Sequence, residues 1–288
     1  MPCFGTAGFL TAAADYLRAH TEALSGDDLD TLHQRTVRAA PFAFPLGSMN
    51  PAAHDIERPV IDIANTLERH SNTVPEKDRY DVILTEPLYG GNRVADEVKG
   101  TTHRGSAPET LFLQHIMKSL AKGGRAAVIV PEGVLFRGTT DLAVRRELVA
   151  QFDLHTVLSL PAGCFLPYTA VKTNVIFFDR RKDGRGTESV WYYDLTNDGF
   201  ELKGTRKPLE GNQIPDFLAK QRTREMSERS WSVAITKEFV AKGCDLSARN
   251  PAQQAEDAHV PARELVARIR NREERIVALL DELDEMLG

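Results

Sequence analysis

The 288-residue chain carries 36 Lys and Arg against 41 Asp and Glu, a net charge of -5, and 42% of its residues are hydrophobic. That balance suits one large domain with an appendage and needs no disordered class, and it excludes the global basic field by which a protein grips nucleic acid on its own. The three cysteines, Cys3, Cys164 and Cys244, form no C-x-x-C pair, and no run approaches the ~20 apolar residues of a membrane span. A reduced, soluble, cytoplasmic protein with no metal site is the expectation.

The chain opens on P-C-F-G-T-A-G-F-L, a glycine-containing loop with no strand before it, followed by an Ala- and Leu-rich helical stretch from about Phe9 to Ala23. Loop-then-helix presents backbone N-H groups to a ligand. Leu29 to Arg38 reads as a short helix, and Val60 to Ile63 as a strand. Val82 to Thr85 is another strand, broken at once by Pro87 and the Gly90-Gly91 pair, which sets a polar loop at a strand end. In open α/β sheets ligands bind there.

After a polar insert, Leu111, Phe112, His115, Ile116 and Leu120 follow helical spacing over Glu109 to Ala121, with Lys122-Gly123-Gly124 as the stop. Arg125 to Val130 is a β-branched run, Asp141 to Gln151 a helix, and strands follow at His155 to Leu160, Thr173 to Asp179 and Ser189 to Asp194. This is an α/β layout whose parallel sheet ends in an antiparallel pair. Two regions are expected: residues 1–200 as the sheet domain and 201–288 as a polar, helical docking region. Leu265, Ile269, Ile276, Leu279, Leu280, Leu283 and Leu287 recur at nearly seven-residue intervals. They make the last segment an amphipathic helix that either pairs with a partner helix or folds back on its own domain.

Taken alone, Gly5 to Gly8 is a weak nucleotide-loop signal, and the Asp81 to Gly91 loop is no more than suggestive, since strands often end in Pro and Gly turns. Together, at a plausible βαβ interval, they favour a nucleotide-like cofactor. Glycines let the backbone approach a ligand, and the helix N-terminus at Phe9 suits a carboxylate.

These motifs resemble the modification subunit of type I restriction-modification systems, a family of N6-adenine DNA methyltransferases. Pro2, Gly5, Thr6, Gly8, Phe9 and Leu10 match its first motif, and Pro87, Tyr89, Gly90 and Gly91 its catalytic motif. Stretches without chemistry match too: Val130 to Phe136, Leu160 to Gly163, Val171 to Phe178, and Gly243 to Leu246. The resemblance implies a Rossmann-like sheet using S-adenosyl-L-methionine, with a C-terminal helical extension. It places Gly5, Thr6, Ala7, Gly8, Phe9 and Asn65 at the cofactor and Glu86, Pro87, Leu88 and Tyr89 at the target base. It also implies DNA, a specificity subunit and a restriction subunit as partners.

The chemistry is largely positioning. Adenine N6 is a poor nucleophile, and in the family an Asn side chain and a loop carbonyl are thought to accept its two protons. An aromatic ring, Tyr89 here, stacks on the flipped base. Glu86 stands where the family has Asn; a carboxylate also accepts hydrogen bonds but is one methylene longer, and a shift of about 1 Å can cost on the order of 100-fold in rate. Leu88 replaces a proline and loses its φ constraint. No acid lies between His33 and His54 to hold the cofactor ribose, Asn65 replaces another acid, and the family's first acidic position falls at Met1. The first strand is therefore expected to be missing. Two functions follow: a DNA adenine-N6 methyltransferase subunit, or a catalytically degenerate fragment acting as a binding or scaffolding module.

Overall fold

The computed structural model describes residues 6–21, 44–56, 67, 75–76, 79–87, 101–105, 107–247, 249–251 and 262–287. The expected helix at Leu29 to Arg38 and strand at Val60 to Ile63 lie outside these residues. Helix α1 spans Gly8–His20 and α2 Phe44–Ala53; they are followed by β1 (Tyr80–Thr85), α3 (Pro108–Ser119), β2 (Leu120–Pro131), α4 (Gly133–Phe136) and α5 (Thr140–Gln151). Strands β3 (Asp153–Ser159), β4 (Thr173–Asp179) and β5 (Ser189–Asp194) come next, then α6 (Ile214–Thr223), β6 (Ser230–Ala234), α7 (Lys237–Ala241) and α8 (Ala262–Leu287). None of the described helices is long and apolar enough to cross a membrane.

The α/β expectation is met by a six-stranded sheet in the order β1-β2-β4-β3-β5-β6. Strand pairs β1/β2 and β3/β5 are parallel, and β4 runs antiparallel between β2 and β3. The sequence reading put antiparallel pairing only at the end of the sheet. An antiparallel pair does end it, at β5/β6, but β4 reverses the direction in its interior. Local composition carries no information on which neighbour a strand selects.

Alternation with period two sorts the strand residues onto two faces. Val128, Val130, Ile176, Phe178, Val190 and Tyr192 pack with Leu113, Ile116 and Met117 of α3 and Val144, Leu148 and Val149 of α5 in the main core. On the other face Leu158, Trp191 and Tyr193 meet Phe217 of α6. Burial pushes the hydroxyls of Tyr192 and Tyr193 up, Tyr193 also donating to Asp216 at 2.7 Å.

The helix expected to stop at Lys122-Gly123-Gly124 ends at Ser119 instead, and β2 begins at Leu120. The glycines make a register shift against β1, where Tyr80 pairs with Leu120 but Val82 with Arg125. A Cβ on Gly124 would sit 3.0 Å from the carbonyl oxygens of Tyr80, Asp81 and Ala121, so the strands approach where only glycine fits.

The chain divides into two compact units, residues 1–248 and residues 249–288. Strand β6 hydrogen-bonds to β5, and Cys244 and Leu246 are fully buried in the main core. In the second unit α8 leaves Val266, Ile269, Ile276, Val277, Leu279 and Leu280 about half exposed.

The first unit is closed by Arg145, 1% exposed on α5. Its Nε donates to Cys244 O at 2.8 Å, Nη1 to Val134 O at 2.9 Å and Arg137 O at 2.7 Å, and Nη2 to Gly243 O at 3.2 Å. Leu246 N donates to Leu135 O at 2.9 Å beside it. Arg145→Met keeps most of the bulk and orphans these carbonyls, so it is expected to cost at least ~3 kcal/mol. Urea unfolding measures this; an unchanged midpoint would remove Arg145 from its structural role.

Candidate active site

The first half of the site is the turn into α1. Ala7, fully buried, is its N-cap in a left-handed conformation (φ 66, ψ 13), and its carbonyl accepts from Leu10 N and Thr11 N, both at 3.0 Å. Asn50 Nδ2 donates to Thr6 O at 2.8 Å and ties the turn to α2. At the far end of α1, Arg18 donates to the carbonyls of His54 at 2.7 Å and Asp55 at 2.9 Å, and His54 Nδ1 lies 2.9 Å from Asp15 Oδ2.

Among the described residues no side chain caps α1, its first turn holds no acid, and a Cβ on Gly8 would meet nothing within 4 Å. A helix start without a side-chain cap suits a carboxylate. Thr6, Ala7, Gly8 and Phe9 are thus brought together, with Phe9 partly exposed, whereas Gly5 and Asn65 lie outside the described residues.

The second half is the end of β1, against which α1 packs. Thr85 is buried level with Val128 of β2, Glu86 is half-buried and Pro87 buried; Leu88 and Tyr89 lie outside the described residues. Strand β2 runs on to Pro131, level with Thr173 at the start of β4. Glu132 N donates to Lys172 O at 2.9 Å, and the Lys172 ammonium lies 3.5 Å from Glu132 Oε1.

The β3–β4 connection thus stands beyond the end of β1 by about 10 Å at ~3.3 Å per residue. Its turns, including Tyr168 N to Phe165 O at 2.9 Å, present the Tyr168 ring 92% exposed. Sequence reasoning missed Tyr168, because an aromatic residue within a turn leaves no periodic signal.

Also missed is a polar cluster at the starts of α3 and α5. Arg137 Nη2 donates to Glu109 Oε1 and Nε to Asp141 Oδ2, each at 2.7 Å, and Thr110 Oγ1 donates to Asp141. Burial works against the Arg137 charge, but its bonds to Glu109 and Asp141 outweigh burial and raise its pKa. Among the described residues no group of three or more His, Cys, Asp or Glu could hold a metal ion. Cys164 and Cys244 are buried and free, with their thiols pushed up by desolvation.

The mixed six-stranded sheet with its helices is the class I S-adenosylmethionine-dependent methyltransferase fold, shared with solved enzymes of that class. The chain belongs to the N-6 DNA methylase family, whose model matches residues 1–259. It is 33% identical to the type I restriction enzyme EcoEI methylase subunit of Escherichia coli, over 100% of this chain and 60% of that protein. Among solved structures, a chain of a type I R-M system is 35% identical with a TM-score of 0.74, over 99% of this chain and 61% of that one. The EcoKI M protein is 27% identical with a TM-score of 0.66, over 100% of this chain and 68% of its own. The chain therefore spans about 60% of the EcoEI subunit's length.

Gly8→Val puts a side chain at the first turn of α1, where among the described residues nothing lies within 4 Å of a Cβ. Stability is expected to stay within about 1 kcal/mol while affinity for S-adenosylmethionine falls at least ~10-fold. Calorimetric titration beside thermal unfolding reads both, and unchanged affinity would move the cofactor site elsewhere.

Proposed function

We propose that this chain is the catalytic segment of a DNA adenine-N6 methyltransferase subunit of a type I restriction-modification system. One observation carries the proposal: the start of α1, without a side-chain cap among the described residues, and Glu86 and Pro87 belong to or directly follow elements that pack together. A methyl donor and its acceptor must meet at such a junction. S-adenosyl-L-methionine, when bound, supplies an electrophilic methyl group. The N-H groups of the α1 turn would hold its carboxylate, and Gly8, which bears no side chain, would let its amino-acid moiety approach the backbone.

Glu86 would accept a hydrogen bond from the adenine 6-amino group, hold N6 in place and receive the proton that N6 loses on methylation. A ring stacks on the extruded base, a role open to Tyr89 and, by its exposure, to Tyr168. With the net charge of -5, grip on DNA comes from a specificity subunit, and a restriction subunit completes the assembly in the cytoplasm.

The second reading, a binding module without turnover, is favoured by Glu86 itself, whose added methylene displaces the acceptor. Methyl transfer from labelled S-adenosylmethionine to DNA by the chain co-expressed with its specificity subunit separates the two. Turnover that falls about 100-fold on Glu86→Ala supports catalysis, and no transfer by the wild type leaves the binding module.

The half-exposed stripe of α8 from Val266 to Leu280 seats on an apolar helical face of the specificity subunit. Replacing Ile269, Ile276 and Leu280 by Ser is expected to abolish co-purification with that subunit while residues 1–248 stay folded. Co-purification at wild-type yield would refute this docking site.

A further inference from the structure

The excursion between β5 and β6 opens and closes at the sheet edge to which β1 delivers Glu86. Strand β4 runs against both β2 and β3, so β1, β3 and β5 share one direction and end at one edge, where β6 begins with Ser230 level with Tyr193. Leu195 N donates to Ser159 O at 2.9 Å and Asp194 N to Arg229 O at 2.8 Å, which pins both ends of residues 195–229 there.

Within this excursion residues 199–209 fold back on themselves. Glu201 N donates to Lys207 O at 2.8 Å and Leu209 N to Gly199 O at 2.7 Å, with Phe200 bridged to Pro208. Arg206 seats the hairpin on the β3–β4 connection: Nη1 donates to Cys164 O, Nη2 to Asp198 Oδ2, and the guanidinium lies 5.2 Å from the centre of the Phe200 ring. Leu202 and Gly204 lie against the same connection, since a Cβ on Gly163 would stand 3.9 Å from Leu202 Cβ and one on Gly204 3.8 Å from Pro167 Cβ. The tip is thereby fixed beside the turn that exposes Tyr168.

What the tip presents is positive. Lys203 and Lys207 are exposed, and the run K-G-T-R-K from 203 to 207 holds three cations and no acid. Of the acids beside it, Asp198 is taken up by Arg206, and Glu201 lies 3.4 Å from the ammonium of Lys203, whose side chain is 74% exposed, so solvent and salt screen that pair. The net charge of -5 excludes a global basic field but not a local contact. Exposed cations beside an exposed ring suit DNA, in which the phosphates take the charge and a base face takes the ring.

We infer that Lys203 and Lys207 form a DNA-backbone contact of this chain itself, on the strand flanking the target adenine, in addition to the hold supplied by the specificity subunit. The inference rests on the function proposed above for the identity of its partner. Three strand spacings of ~4.8 Å separate β1 from β3, so on a duplex laid across the strands and rising ~3.4 Å per base pair the contact falls about four base pairs from the target.

The test titrates the full chain, assembled with its specificity subunit, with a labelled duplex containing its methylation site over a series of salt concentrations. Lys203→Ala combined with Lys207→Ala removes two phosphate contacts, so the slope of log affinity against log salt is expected to become shallower by ~1.8. Affinity for S-adenosylmethionine stays within about twofold, the tip being remote from the α1 turn in the chain and in the sheet. Lys203→Arg combined with Lys207→Arg keeps the slope. Lys182→Ala, exposed between β4 and β5 at the opposite edge, also keeps it, which separates a contact from a general loss of charge. With neutral methylphosphonates about four base pairs from the target, the wild type takes the shallower slope and the alanine variant loses nothing further.

An unchanged slope in the double alanine variant overturns the contact, and so does a comparable loss from Lys182→Ala. A wild-type complex that binds the duplex and shows the expected slope change but transfers no methyl group keeps the contact and defeats the catalytic reading. One that binds no DNA defeats both.

Discussion

The buried guanidinium of Arg145 is the contact on which the sheet unit depends. It donates to carbonyls of Val134 and Arg137, in the turn after β2, and of Gly243 and Cys244, about a hundred residues later. Desolvation depresses its pKa, yet an arginine keeps its charge in proteins, so the cost of burial is offset by carbonyl dipoles with Asp141 and Asp245 nearby. One cation thereby holds the last stretch of the unit against its core.

The same helix organises its polar surroundings. Besides Arg145, α5 supplies Thr140 and Glu147, which hold Arg104 and His103, and Asp141, which orients Arg137 with Glu109. A shift of α5 would move the turn after β2 and residues 103 and 104 together. Gly124 sets the other coordinate, since its register shift decides which β2 residue stands beside Thr85 at the loop's start. Both constraints act through backbone atoms.

Some of this was legible in the chain. Thr173 to Asp179 and Ser189 to Asp194 were delimited residue for residue, because β-branched and aromatic runs stand between turn formers. The turn into α1 and the break after β1 were read from glycine and proline spacing. The end of α3 was misplaced because a Lys-Gly-Gly segment serves equally as a helix stop or a strand irregularity. Strand β6 and the burial of Cys244 went unseen, since the polar stretch before them disguised a return to the sheet.

By itself the sequence determined the family and the α/β class, since these depend on short-range spacing of glycine, proline and apolar residues. Tertiary structure alone decided the antiparallel β4 between β2 and β3, the division at residue 248, and the carbonyl contacts of Arg145. Those features depend on which distant backbone carbonyl or strand edge a side chain meets, and no local pattern records that.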